Sequence, residues 1–386
     1  MSEPRYIRPL LGAILAQAPQ ADATRSIAPE LIAAIKGNDI MRMSATPEIG
    51  GLGESVVAMA NELRAIAACC TSTAWCVWNH LCVFHHFAAL LGPRHADFLR
   101  AAVMKREWFC FPAGASSDVT ATSHEGRTRL EGTAAFGSGA RYAEWAGVAF
   151  LGAGKRMPKF TLVDLRDPRV TIRATWDAMS LRASATDHVH YSGVEVPSER
   201  VVPLPPMVRV RLRDPAVPVI HARYREDWVG LSVLWLGAMA TGVAEVSFTE
   251  TAQGIRERLA ILGTRMADRP TIHVNLGRAR ALINAATDTV WAAMAETDAR
   301  IAGAVTPTEA DYFRQTSAGM QAVHFCDEAM RLILRVLGGN GLREGAAFER
   351  RYRDFQAMPL HINGHVDRIT EQLGRLSLGL ETQNPF

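Results

Sequence analysis

The stretch Gly132-Thr-Ala-Ala-Phe-Gly-Ser-Gly-Ala140 lies in the part of the chain that decides the fold. It belongs to a segment, 109–196, that is rich in Gly, Thr, Ser and Val and contains short apolar runs such as Val148-Ala-Phe-Leu151. Runs of this length, bounded by turn residues, are typical of β-strands. The sequence therefore predicts a β unit in the middle of the chain.

Helical patterns flank this β unit on both sides. On the amino-terminal side, Ala28–Ile35 is apolar with helical spacing, and Ser55–Leu91 has so few charges that it predicts two buried helices. A proline-rich connector, 197–218, follows the β unit. Beyond it, four long segments predict helices that pack as an antiparallel bundle. These segments are Leu231–Val246, Ile272–Ala299, Glu309–Leu337 and Ile362–Leu380.

The composition of the 386-residue chain argues against several classes of function. Hydrophobic residues make up 48% and charged residues 21%, as in ordinary globular proteins. The net charge is +3 and the basic residues are scattered, so nucleic acid is not the expected partner. No apolar run approaches the roughly 18–20 residues of a membrane span, and the amino terminus has no signal-like core, which predicts a cytoplasmic location and no membrane partner. Six cysteines without a C-x-x-C pair predict buried thiols and no metal site.

Local motifs in this order resemble the acyl-CoA dehydrogenase superfamily along nearly the whole chain. They are Pro47-Glu-Ile-Gly-Gly-Leu-Gly53, Gly132–Ala140 followed by Ala143-Glu-Trp145, Trp176-Asp-Ala-Met-Ser-Leu-Arg-Ala-Ser184 followed by Val194-Glu-Val-Pro197, and Leu337-Gly-Gly-Asn-Gly341 followed by Arg353-Asp354. The resemblance implies an α+β, mainly α fold. Its parts would be an amino-terminal helical domain (1–107), a middle β-barrel-like domain (108–215) and a carboxyl-terminal four-helix bundle (216–386). The superfamily also implies a homotetramer.

Three further features resemble one branch, the two-component flavin-dependent monooxygenases, which includes p-hydroxyphenylacetate, steroid-phenol and dibenzothiophene oxygenases and amino-sugar N-oxygenases. They are Phe136-Gly-Ser-Gly139, Ser72-Thr-Ala-Trp75 and the tail Leu378–Pro385. This resemblance implies hydroxylation of a small aromatic or heteroaromatic substrate through a flavin C(4a)-hydroperoxide, with O2 as co-substrate. N-oxygenation of an amine or amino sugar, acyl-CoA dehydrogenation and a non-catalytic binding role stay open as alternatives.

The position that carries the catalytic carboxylate in the commonest dehydrogenase subfamilies decides between these chemistries. That Glu lies nine positions after the Arg of the Arg-Asp pair, which places Ile362 there in this chain, next to His361. Isoleucine cannot accept a proton, whereas an imidazole can deprotonate a phenol or an amine or hydrogen-bond a flavin peroxide. The sequence therefore favours oxygen transfer, with His361 as a catalytic residue. His365, four positions on, is expected on the same helix face, at the surface or behind the site.

The resemblance also implies roles for further residues. Besides His361, catalytic roles fall on His80, chosen from the three histidines His80, His85 and His86, and on Ser138. The residues expected to contact the flavin are Ser138, Gly139, Trp145, Gly338, Gly339 and Gly341. The residues expected to face the substrate are Arg182, Ser184 and Trp75.

The cofactor is expected to be reduced FMN or FAD that another protein supplies. Gly152-Ala-Gly-Lys155 lacks the upstream glycine and the Ser/Thr of a phosphate-binding loop, and no G-x-G-x-x-G follows a predicted strand. An oxygenase without a nicotinamide site must receive reduced flavin from a separate flavin reductase, which is the predicted protein partner.

Overall fold

A computed structural model describes residues 3–114, 117–151, 158–204, 207–209, 212–260 and 263–383. Gly152–Lys155 and the end of the tail, including Pro385, lie outside the described residues. The described part contains helices at both ends of the chain and strands between them, as predicted. The domain boundaries themselves stay a prediction.

Five helices precede the strands: α1 (Leu11–Thr24), α2 (Pro29–Gly37), α3 (Val56–Cys69), α4 (Thr71–Leu91) and α5 (Ala96–Met104). Ser55 begins α3 because its side-chain oxygen accepts the backbone N–H of Ala58 at 3.0 Å. Almost every side chain of α4 is buried, because this helix lies between the strands and the carboxyl-terminal helices. The two buried helices expected in Ser55–Leu91 are thus confirmed as α3 and α4.

In the described residues between 109 and 213, the strands form two four-stranded sheets and one two-stranded ribbon. The strands are β1 (Phe109–Cys110), β2 (Thr120–His124), β3 (Arg127–Gly137), β4 (Trp145–Leu151), β5 (Pro158–Asp164), β6 (Val170–Arg173), β7 (Asp187–Pro197), β8 (Val202–Pro203), β9 (Met207–Arg209) and β10 (Leu212–Arg213). The strand orders are β1-β4-β5-β8, β2-β3-β7-β6 and β10-β9. Side chains of β3, β4, β5 and β7 share one apolar core, so the two larger sheets face each other in the barrel-like arrangement that the sequence predicts.

Long helices dominate the carboxyl-terminal part: α6 (Trp228–Ile255), α7 (Pro270–Ala302) and α8 (Glu309–Leu337), followed by the shorter α9 (Ala347–Phe355) and α10 (Val366–Ser377). One 18-residue window of α6 is apolar enough to cross a membrane, contrary to the sequence analysis, but 89% of that window is buried inside the molecule. The predicted helix Ile362–Leu380 begins four residues late, because Pro359 and Gly364 interrupt the helical pattern before it. His361 and His365 therefore lie at the starts of two separate elements and not on one helix face.

Three parts of the chain meet around the amino-terminal half of α4. They are the turn 179–186 before β7, helix α9 with the 3₁₀ turn Ile362–Gly364, and the early part of α6. The buried apolar core is continuous here between the amino-terminal helices and the bundle. This junction brings together most of the residues singled out in the sequence.

Candidate active site

His361 packs against two tryptophan rings at the junction. Its imidazole centroid lies 5.3 Å from the ring of Trp75 and 4.9 Å from that of Trp78, edge-on to both. Its Nδ1 accepts the backbone N–H of Asn363 at 3.2 Å. Burial lowers the pKa of the imidazole to about 4, so the ring is neutral at physiological pH.

These contacts fix the tautomer of His361. A neutral imidazole whose Nδ1 accepts a hydrogen bond carries its proton on Nε2. Among the described residues, no hydrogen-bond partner contacts Nε2. His361 therefore offers an N–H donor rather than the near-neutral base expected from the sequence.

The two tryptophans form walls whose polar atoms are already used within the protein. Trp78 Nε1 donates to the backbone oxygen of Ser232 at 3.0 Å, and Trp75 Nε1 donates to Ser138 Oγ at 3.0 Å. Their ring centroids are 4.8 Å apart. The indole faces thus leave an apolar surface around the His361 donor, which suits an aromatic ligand.

Ser138 belongs to a buried cluster of three hydroxyl groups. Its Oγ lies 3.0 Å from Thr186 Oγ1, which lies 2.7 Å from Ser184 Oγ. Either hydroxyl of each pair can donate, and one consistent arrangement has Ser184 donating to Thr186 and Thr186 donating to Ser138. In this arrangement Ser138 accepts from Thr186 and Trp75, and its own O–H has no acceptor within the cluster.

The backbone beside Ser138 is shaped by Gly139, which has φ +77°. A Cβ at this glycine would strain the backbone and would lie 3.4 Å from Trp108 Nε1, a buried N–H without a partner among the described residues. The Gly139 N–H itself donates to the oxygen of Ser184 at 2.8 Å. A planar group with a polar edge, such as a flavin ring, fits the Ser138 hydroxyl and the unpartnered Trp108 Nε1 beside the side-chain-free Gly139.

Phe136 and Trp176, two aromatic residues that were not predicted as site residues, lie near Ser138. Phe136 has φ +61°, a left-handed conformation that is strained for an aromatic residue, and its side chain is 46% exposed. Its ring centroid lies 6.1 Å from that of Trp176. Their edge-to-face contact forms an exposed aromatic surface next to the hydroxyl cluster. The strained φ of Phe136 could not be deduced from the sequence.

The hydrogen bonds of His80 give this residue a structural role. Its Nε2 bonds the backbone oxygen of Met41 at 3.0 Å, and its Nδ1 accepts the backbone N–H of Phe109 at 3.0 Å. Both ring nitrogens are therefore used to connect α4 to β1 and to the segment after α2, and none remains for a reaction. His85 is similarly committed through Nε2 to the backbone oxygen of Glu226, and the His86 ring lies among aromatic rings, including that of Trp228.

Other predicted residues lie outside the His361–Ser138 junction or act differently there. Trp145 Nε1 donates to Glu107 at 2.6 Å, and its ring contacts Phe98, so it joins β4 to the amino-terminal helices. Arg182 lies 3.8 Å from Asp22 and so faces α1. Ser184 is linked to Ser138 by hydrogen bonds through Thr186. It makes no hydrogen bond to His361 among the described residues, so these contacts do not place it on the substrate side that the sequence predicts.

The glycine turn after α8 contacts neither His361 nor Ser138 within the described part of the chain. Gly338 and Gly339 have open space where a Cβ would lie, and Gly341 is held against Leu334 and Leu337. A cofactor role for this turn would need a neighbouring subunit. No three His, Cys, Asp or Glu side chains in the described ranges lie close enough to hold a metal ion.

The chain is similar in sequence to known flavin-dependent hydroxylases. Residues 234–365 match the family model "Acyl-CoA dehydrogenase, C-terminal domain". An "FADH(2)-dependent resorcinol hydroxylase, oxygenase component" from Rhizobium sp. (strain MTP-10005) is 25% identical over 95% of this chain and 91% of its own length. A "Pigment production hydroxylase" from Rhodococcus sp. (strain ATCC 21145) is 23% identical over 98% of this chain and 97% of its own length.

Solved structures share the fold over the same extent. XiaF from Streptomyces sp., determined with FADH2 and glycerol, superposes with a TM-score of 0.86 at 21% identity, covering 98% of this chain and 95% of that one. This likeness establishes the arrangement of helices and sheets. The chain therefore has this fold, residues 234–365 match the carboxyl-terminal domain of the acyl-CoA dehydrogenases, and the chain is similar along nearly its whole length to flavin-dependent hydroxylases.

Proposed function

We propose that the chain is the oxygenase component of a two-component flavin-dependent monooxygenase that hydroxylates a small aromatic or heteroaromatic substrate. A bound reduced flavin, FMN or FAD from a separate reductase, would supply the electrons that activate O2. The observation that carries the proposal is the bridge that Trp75 makes between His361 and Ser138. One indole thereby joins a substrate-side donor to a flavin-side hydroxyl.

The residues present fit a division of work around this bridge. Ser138, in the arrangement that leaves its O–H without an acceptor in the cluster, would hold the polar edge of the flavin, next to the aromatic surface of Phe136 and Trp176. His361 would donate its Nε2 proton in a hydrogen bond to a substrate oxygen, with the ring that is to be hydroxylated packed against the two indoles. A donor of this kind stabilises negative charge that develops on a phenol oxygen as the ring is attacked. The apolar walls would exclude water from the site.

The geometry opposes acyl-CoA dehydrogenation. Ile362 occupies the position of the carboxylate and is 54% exposed. Three buried carboxylates near the junction are engaged. Glu226 pairs with Arg300 and Gln315, Asp354 accepts hydrogen bonds from Leu181 and Ser72, and Asp187 accepts from Arg141 and from the Thr175 N–H. Their oxygen atoms are already used inside the protein, which opposes their removing a proton from a substrate.

The proposal includes a homotetramer that works in the cytoplasm. Large apolar side chains near the carboxyl terminus are exposed in the single chain, including Leu360 at 74% and Leu378 at 77%. Exposed apolar residues in this density favour contact with another protein surface. We choose a second copy of the chain because the superfamily resemblance implies it.

The experiment measures product and hydrogen peroxide formed per reduced flavin. Purified protein is mixed with chemically reduced FMN or FAD, O2 and resorcinol, the compound in the name of the Rhizobium relative, and then with other phenols. The proposal expects hydroxylated product from at least one aromatic compound, in a yield that depends on the protein. Peroxide alone for every compound, with bleaching of bound FAD by an acyl-CoA thioester under anaerobic conditions, would point to a dehydrogenase instead.

A further inference from the structure

Asp354 lies behind the hydroxyl cluster, at the carboxyl-terminal end of α9, and is 3% exposed. Its Oδ1 accepts the backbone N–H of Leu181 at 2.7 Å, and its backbone oxygen accepts the hydroxyl of Ser180 at 3.1 Å. Its Oδ2 lies 3.5 Å from Ser72 Oγ on α4. One side chain thus connects α9 to α4 and to the turn 179–186.

That turn has a conformation that needs support. Leu181 has φ +51° and Ala185 has φ +47°, and left-handed backbone is costly for residues with a Cβ. The Ser184 N–H closes the turn on the oxygen of Leu181 at 2.9 Å. Since Asp354 holds the N–H of Leu181, it holds the residue on which the turn closes.

The same turn carries the partners of Ser138. Ser184 Oγ and Thr186 Oγ1 continue the hydroxyl cluster, and the oxygen of Ser184 accepts from the Gly139 N–H and from Cys76 Sγ. A shift of the turn would move these groups together. The orientation of the Ser138 hydroxyl therefore depends on Leu181 and, through it, on Asp354.

The surroundings of Asp354 let its charge change near neutral pH. Burial raises the pKa of its carboxyl group to about 7, and the charge of Asp22 acts in the same direction. Arg353 Nη1, at 4.0 Å, and Arg350 oppose this effect, but Arg353 is itself paired with Asp22 and Glu349. The Cys70 thiol, on the side of α4, is neutral because burial raises its pKa.

We propose that Asp354 is a positioning residue that fixes the turn 179–186, and with it the flavin-facing hydroxyl of Ser138, more firmly in its ionised form than in its protonated form. The ionised carboxylate accepts a charge-assisted hydrogen bond from Leu181, which is about twice as strong as a neutral one. Affinity for reduced flavin should therefore fall as the pH drops below 7. This inference rests on the proposed function, because it concerns the same cofactor site.

The test compares Asp354→Asn with the wild type. The asparagine keeps an oxygen for the Leu181 N–H but cannot ionise. Dissociation constants for anaerobically reduced FMN and FAD are measured from tryptophan fluorescence between pH 6 and 8.5. Because reduced flavin itself titrates in this range, the measured quantity is the ratio of variant to wild-type constants at each pH. The ratio should rise from near one at pH 6 to about five at pH 8.5, the effect of losing one charge-assisted bond.

A second readout needs no flavin. Trp176 Nε1 donates to the backbone oxygens of Ser180 and Leu181, so its emission reports on the turn. The contribution of Trp176, isolated with Trp176→Phe, should change between pH 6 and 8.5 in the wild type and stay constant in Asp354→Asn. Asp327→Asn, at another largely buried aspartate on α8, is the control and should behave like the wild type.

A constant affinity ratio and a Trp176 response that persists in Asp354→Asn would overturn the inference, as would an equal effect of Asp327→Asn. If the wild type binds no reduced flavin, the proposed function fails, while the Trp176 readout still decides the role of Asp354. Ser180→Ala, which removes one contact between the turn and Asp354, should shift the Trp176 emission in the same direction as low pH.

Discussion

Replacing Asp354 by asparagine should stabilise the protein at alkaline pH. The carboxyl group is buried, and its pKa is raised from 3.8 to about 7. A group with a raised pKa in the folded state contributes fully to stability below its unfolded pKa, and that contribution is lost as the pH rises through the folded value. The free energy of unfolding of the wild type should therefore fall between about pH 4 and pH 7. The asparagine variant should not show the share of this fall that is due to Asp354.

The size of the effect follows from the shift. A difference of about three pKa units corresponds to about 4 kcal/mol at pH 8, which is an upper value because the surroundings relax around a buried charge. For a chain of this length it amounts to a rise of about 3–5 °C in Tm. At pH 4 both carboxyl and amide are neutral, and the two proteins should melt at similar temperatures.

The assay is the melting temperature of wild type and Asp354→Asn in matched buffers from pH 4 to pH 8.5, followed by circular dichroism. The expected result is a difference in Tm that grows with pH and levels off above pH 8. Asp327→Asn should show no such growth. A difference that is constant with pH, or a variant that is less stable at pH 8 than the wild type, would refute the reasoning. Combined with weaker flavin binding, a more stable variant would show that the fold tolerates an ionised Asp354 for the benefit of the site.

Further expected outcomes concern the two ends of the site. His361→Ala should lower the product per reduced flavin by tenfold or more through loss of the N–H donor. His361→Gln keeps an N–H and should give more product than His361→Ala. Equal yields in the two variants would show that the N–H donor of His361 has no role. Since the pKa of His361 is lowered to about 4, the yield should show no inflection due to this residue between pH 6 and 9, and an inflection that disappears in His361→Gln would contradict the neutral form assigned to the ring. Trp75→Phe should weaken reduced-flavin binding by about fivefold, because Ser138 loses one hydrogen bond, and titration of the purified variant checks this. His80→Ala should lower Tm without changing the yield of the remaining folded protein, since both ring nitrogens bond backbone atoms; a changed yield at full occupancy would return His80 to the mechanism.

The order of helices and strands, and the isoleucine at the position of the dehydrogenase carboxylate, could be predicted from local sequence. Ser55–Leu91 shows its burial through the near absence of charge, and the strands of 109–196 show themselves through turn residues at short intervals. The spacing from Arg353 identifies Ile362, because the residues between them form one short continuous segment. The neighbouring His361 does lie at the junction of the three parts.

The roles within the site depend on contacts that the sequence does not show. The tautomer of His361 depends on the Asn363 N–H, which reaches it only because the chain makes a 3₁₀ turn where a helix was expected. The sequence around His80 and His361 does not tell which of the two is structural. The backbone hydrogen bonds to both ring nitrogens of His80 make that distinction. Thr186 was missed because its role follows from hydrogen bonds to Ser138 and Ser184 and not from a motif.

The most direct test of oxygen transfer is the yield of hydroxylated aromatic product per reduced flavin in the wild type and in His361→Ala, with Asp327→Asn as control. Protein-dependent product from a phenol such as resorcinol is expected. In His361→Ala this product should be lost, with the missing oxygen recovered as hydrogen peroxide. Equal product yields in all three proteins would contradict the role of His361, and peroxide without product for every aromatic compound would contradict the central claim itself.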